Sequence, residues 1–181
     1  MATIEIINSP HEAQDPNHGL NIFLAGPILG TGDWQNEAGE ILTRLAGMDL
    51  DPARHINVFN PRRPEFTDLK DFSDDTFYEQ VDWEHEHLAR TKALGIMVFW
   101  LANKTIEMPH RNFGLTTLFE LGEAIAPLAI SGANPIVVGI EPGFTNEKYL
   151  RYTIEKKAPN VTLTSDLEAT CMAAYQHIMA F

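Results

Sequence analysis

Positive charge is scarce in this chain: 13 Lys and Arg stand against 25 Asp and Glu, a formal charge of −12 over 181 residues. Such a surface repels phosphate backbones and anionic lipid, so neither a nucleic acid polymer nor a membrane is an expected partner. Cysteine is nearly absent. Cys171 stands alone in a helix-like run, residues 167–179, which rules out an intrachain disulfide framework. As a nucleophile it competes with burial as a small apolar residue. Long apolar stretches are missing too, since runs such as residues 93–102 fall far short of the ~20 residues that span a bilayer. Residues 1–8 lack a basic start followed by an apolar stretch, so a cytoplasmic location is expected.

What remains is 44% apolar and 21% charged, a balance that suits one packed domain. We expect an N-terminal lead over residues 1–18, with an optional edge strand through residues 3–7, and a domain over residues 19–181. Short β-branched runs alternate with helix-period segments, the pattern of a parallel sheet covered by helices on both faces. Residues 20–25, 56–59, 93–101, 135–140 and 161–163 read as strands, and the continuous apolar run at 93–101 suits a central strand buried on both sides. Helices are expected from Asp33 as N-cap to about 46, over 78–91, from about Thr117 to Pro127, over 147–156 and over 166–179. The fold class is therefore α/β, a flavodoxin-like doubly wound five-stranded parallel sheet in three layers. Its ligands belong outside the carboxyl ends of the strands, where strand order reverses.

Several residues near those ends can carry chemistry. Gly26, Gly30 and Gly32 follow a strand and precede a helix, but no Gly-x-Gly-x-x-Gly or Gly-Lys-Ser/Thr is present, and an ordinary glycine turn fits as well as an anion cradle. Trp34 and Gln35 can stack on and hydrogen-bond a planar heterocycle, or anchor the helix they open. Thr117-Leu118-Phe119-Glu120 matches a capping box, in which the glutamate only returns a hydrogen bond. Alternatively the helix dipole keeps a first-turn Glu120 ionised and ready to attack an electrophilic carbon. Residues 78–87 form an acidic helix on which Asp82 and Glu86 share one face while Glu84 lies on another. A solvated face is the plain alternative there. His85 and His87 diverge on a helix and match no zinc motif, so no metal is expected.

Taken together, Ile22-Phe23-Leu24-Ala25-Gly26-Pro27-Ile28, Trp34-Gln35, Asn60-Pro61-Arg62-Arg63, Trp83-Glu84, Phe99-Trp100 and residues 117–124 resemble the nucleoside 2-deoxyribosyltransferase family, over about residues 20–140. The resemblance implies double displacement at the anomeric carbon of a 2-deoxynucleoside, without organic cofactor, and an exchange of one nucleobase for another. It assigns the nucleophile to Glu120 and the proton donor to Glu84, with Asp82 and Glu86 as substitutes. It also implies substrate contacts from Phe23, Gly26, Trp34, Gln35, Asn60 and Trp83. Phe23 stands where several members carry a tyrosine that orients the nucleophile, and Gly114 where transferases often place an aspartate for the 5′-hydroxyl. Asn112, Thr116 and Thr117 are the nearby candidates for holding the sugar. Arg62 and Arg63 either approach the substrate or pair with the acidic residues 68–75. Members commonly form homo-oligomers in which a neighbour completes the pocket. The alternatives are an N-glycoside hydrolase on the same carboxylates, acting on nucleosides, nucleotides or NAD, and a non-catalytic nucleoside-binding module.

Overall fold

The computed structural model describes residues 1–15, 18–63, 73–108, 110, 112–128 and 135–180. Among the described residues six parallel strands form one sheet: β1 (Thr3–Asn8), β2 (Leu20–Ala25), β3 (His55–Asn60), β4 (Gly95–Leu101), β5 (Ile136–Ile140) and β6 (Thr162–Thr164). Their spatial order is β1-β3-β2-β4-β5-β6. Strands β2 to β6 thus follow the 2-1-3-4-5 order of flavodoxin-like sheets. The expected count of five is corrected to six. β1 runs in register with β3 from Thr3 opposite His55 to Asn8 opposite Asn60, a long-range pairing that buries Ile7.

Helices α1 (Trp34–Met48), α2 (Asp74–Ala93), α3 (Leu115–Ile125), α4 (Glu147–Lys157) and α5 (Leu167–Ile178) cover the sheet. Because strand side chains alternate between faces, Ile22, Leu24, Ile96, Val98 and Trp100 pack with α1 and α5 in one core. Phe23, Ala25, Met97, Phe99 and Leu101 pack on the other face, together with Trp83, Leu121 and Ile154. Every residue of β4 is buried, as its unbroken apolar run requires.

Two helix starts differ from expectation. α2 begins at Asp74 rather than near 78, because the Ser73 hydroxyl accepts the Thr76 amide at 3.2 Å and acidic residues fill the first turn. α3 begins at Leu115, after Gly114 in the left-handed region at φ 68°, a conformation that favours glycine. Thr117 is therefore inside the helix and not its cap, so the capping box does not form.

Candidate active site

The chain's reversal point lies between β2 and β4: α1 carries the chain from β2 to β3 on one side, and α2 returns it to β4 on the other. Beyond the carboxyl ends of these strands lies a cavity of about 260 Å³. Its walls come from the end of β2 and the turn after it, from Pro61 after β3, from the inner face of α2, and from the segment leading into α3. Gly26 makes the turn possible, since a Cβ there would collide with the Trp100 carbonyl and the Trp34 ring. The Trp34 indole N–H then ties the Pro27 carbonyl at 2.8 Å, which fixes the cavity's floor.

Among the described residues two carboxyl groups line this space, Glu84 from α2 and Glu120 from α3. Burial pushes the Glu84 carboxyl up to about 7, against the opposing pull of the Gln80 hydrogen bond and the Arg63 charge. Burial likewise raises Glu120, to about 8, with the charges of Glu84 and then Glu123 adding to the effect. The first-turn position expected of Glu120 is corrected: it is the sixth residue of α3. There the helix dipole has faded and desolvation decides the charge. Because the Glu84 charge raises Glu120, the two carboxyls titrate as a pair, and between about 7 and about 8 the pair holds about one proton.

The helical phase of α2 decides which acidic residue faces inward. Gln80, Val81 and Glu84 line the cavity, whereas Asp82 and Glu86 are exposed and Glu86 pairs with Arg90. Asp82, expected as a substitute proton donor, thus points away from the cavity. Phe23, Gly26, Asn112, Thr116 and Thr117 do line it.

Four expected substrate contacts do not. Trp34 lies beneath the turn. Gln35 is fully buried and accepts from Arg62 Nε at 3.2 Å. Asn60 is buried at the end of β3, donating to Asn8 Oδ1 at 2.9 Å. Trp83 stacks on His87 with ring centroids 4.1 Å apart and donates to the His11 carbonyl at 2.9 Å. All four hold the scaffold.

The arginines are structural as well. Arg62 binds Asp33 at 3.2 Å and the Ile28 carbonyl at 2.8 Å. This pairing occupies the Asp33 carboxylate, which makes no side-chain cap on α1. Arg63 binds Glu79 at 2.7 Å. Of the acidic segment expected to hold them, residues 68–72 lie outside the described residues.

Gln80 and the apolar lining from Phe77, Val81, Met108 and Phe113 escaped the reading of the sequence. Gln80 carries a signal that was available: it stands four residues before Glu84, one helical turn away on the same face. No Lys, Arg or His among the described residues lines the cavity. Nor, among those residues, do three His, Cys, Asp or Glu gather in a way that would hold a metal ion.

The model of the family described as nucleoside 2-deoxyribosyltransferase like matches residues 19–143. The chain belongs to this family. No curated protein matches the sequence. The match to this nucleoside 2-deoxyribosyltransferase-like family runs from just before β2 to the turn after β5 and includes every residue that lines the cavity. No helix among the described residues is long and apolar enough to cross a membrane.

Proposed function

We propose that this protein transfers a 2-deoxyribosyl group between nucleobases. The observation that carries this reading is a pair of carboxyls lining one cavity, both raised by burial and the second also by the charge of the first. Double displacement needs one carboxylate and one carboxylic acid at the same time. Without substrate Glu120, at about 8, holds a proton more tightly than Glu84, at about 7, so the pair becomes productive when substrate binding leaves the proton on Glu84. The Glu120 carboxylate attacks C1′, the bond to the base nitrogen breaks, and its electron pair stays on that nitrogen, which takes the proton of Glu84. An incoming base then loses a proton to Glu84 and attacks C1′, releasing Glu120. Two inversions return the original configuration.

A cavity without lysine, arginine or histidine among its described lining residues suits a neutral nucleoside better than a nucleotide. Phe23 offers no hydroxyl to Glu120, so the orientation of the nucleophile depends on packing and on the substrate itself. We also propose a homo-oligomer. Leu115 and Phe119 share one face of α3 and are 59% and 65% exposed, and Phe77 at the cavity wall is 54% exposed, an apolar rim that a second subunit would cover.

The test is an exchange assay with a 2-deoxynucleoside donor and a foreign base over a panel of purines and pyrimidines. Formation of the exchanged nucleoside is the expected result. Release of free sugar with little exchange would assign the same carboxylates to hydrolysis, and absence of both would leave a binding module.

A further inference from the structure

Gln80 has no part in the reaction as written above, yet it is the most constrained polar side chain at the cavity. It is 6% exposed, and its amide uses all four of its hydrogen-bonding positions. Its Oε1 accepts from the Ser9 hydroxyl at 2.7 Å and from Arg63 Nε at 2.7 Å. Its Nε2 donates to the Pro61 carbonyl at 2.8 Å and to Glu84 Oε1 at 2.5 Å.

The partners leave the amide no choice of direction. A guanidinium has only donors and a backbone carbonyl only accepts, so the oxygen must face Arg63 and the NH2 must face Pro61 and Glu84. Arg63 is itself 4% exposed and is held by Glu79 at 2.7 Å and Ser9 Oγ at 3.3 Å. Ser9 is fully buried at the end of β1, its amide bound to the Asn60 carbonyl at 2.9 Å. The network therefore runs from the edge strand through α2 to the cavity.

We propose that Gln80 is the positioning residue for Glu84: locked by Arg63 and Ser9, its amide donates to Oε1 and confines the transferable proton to Oε2. This rests on the reading of Glu84 as the proton donor. An oxygen that already accepts an N–H donor is the poorer site for the acid's own hydrogen, so Oε2 is the oxygen that gives and regains it. The same bond favours the carboxylate form and opposes the rise that burial imposes. The charged groups facing Glu84 from neighbouring elements are Arg63, from the segment after β3, which favours its ionisation, and Glu120, on α3, which the Glu84 charge in turn holds protonated. Burial thus keeps the acid weak enough to hold a proton near neutrality, and Gln80 keeps it strong enough to release it.

The experiment follows the Glu84 midpoint directly, by carbon-13 NMR of full-length protein labelled at glutamate carboxyls, with Glu84→Gln identifying the signal. Gln80→Leu is expected to raise that midpoint by about one unit, the equivalent of a lost charge-assisted hydrogen bond. Ser9→Ala, which does not touch Glu84, is expected to shift it the same way by less. A merely structural loss would admit water and lower the midpoint, the opposite sign. An unchanged or lowered midpoint in folded Gln80→Leu overturns the proposal. Should that variant not fold, Ser9→Ala decides by the same criterion. The readout does not need turnover: a raised midpoint in a protein that exchanges no base would sink the transfer reading and leave the role of Gln80 intact.

Discussion

Glu84 on α2 and Glu120 on α3 face one cavity, and the charge on the first helps hold the second up to about 8. Neither helix alone would produce this. Each carboxyl comes from a different crossover, and the sheet's reversal between β2 and β4 brings the two together.

Removing the proposed nucleophile should separate catalysis from folding. Glu120→Ala is expected to lower exchange by roughly a thousandfold or more while the circular dichroism spectrum is kept. In the unmutated protein a 2-fluoro-2-deoxynucleoside should leave a sugar mass on Glu120, read by mass spectrometry of its peptide. A variant that still exchanges bases at the normal rate would remove Glu120 from the mechanism.

The pH profile follows from the shared proton. Below the pair's lower midpoint both groups are protonated and no nucleophile exists; above the upper one both are ionised and no acid exists. A plot of kcat/KM against pH should be bell-shaped, with its top in the region of about 7 to about 8, the span of the two raised carboxyls. A sigmoid with a single limb would mean that only one of them titrates in the working enzyme.

The same burial makes the site a stability cost at high pH. A carboxyl whose midpoint is raised on folding binds its proton more tightly in the native state, so stability is greatest below its ordinary value, near 4.5, and falls as pH rises through about 7 and about 8. Glu120→Gln, which cannot ionise, should therefore raise Tm at pH 9 by at least several degrees. At pH 5 it should change Tm little. Thermal melts at the two pH values check this, and an equal effect at both would contradict the assigned burial.

Trp34 separates scaffold from substrate contact. Trp34→Phe loses the 2.8 Å bond to the Pro27 carbonyl and should cost about 1 kcal/mol of stability, measured by urea unfolding. Through the displaced turn it should raise KM for all bases alike. A change confined to purines or to pyrimidines would mean that the indole reads the base after all.

Much of the architecture was legible because it is written locally. The unbroken apolar run of β4 suits a strand buried on both faces, and Pro127 follows the last turn of α3. Glu120 and Glu84 were also named from sequence. What could not be read depended on partners far along the chain. β1 is a short strand whose identity comes from pairing with residues about fifty positions later, and its optional reading reflected that. Trp34 and Gln35 look available at a helix start, but Arg62 and the turn at Gly26 fold over them. The start of α3 was misplaced because a threonine three residues before a glutamate imitates a cap, while the glycine that sets the true boundary carries no side-chain signal.

The sheet's outermost strand has one practical bearing. The family match opens at residue 19, so a chain begun at that limit and kept whole to residue 181 would discard β1 and Ser9 together. It would keep the whole lining of the pocket and yet strip Arg63 and Gln80 of a brace. Versions shortened at that N-terminal boundary would keep the carboxyl pair and lose a support of Glu84, so a weakness in them would trace to the missing edge strand and not to the pocket lining.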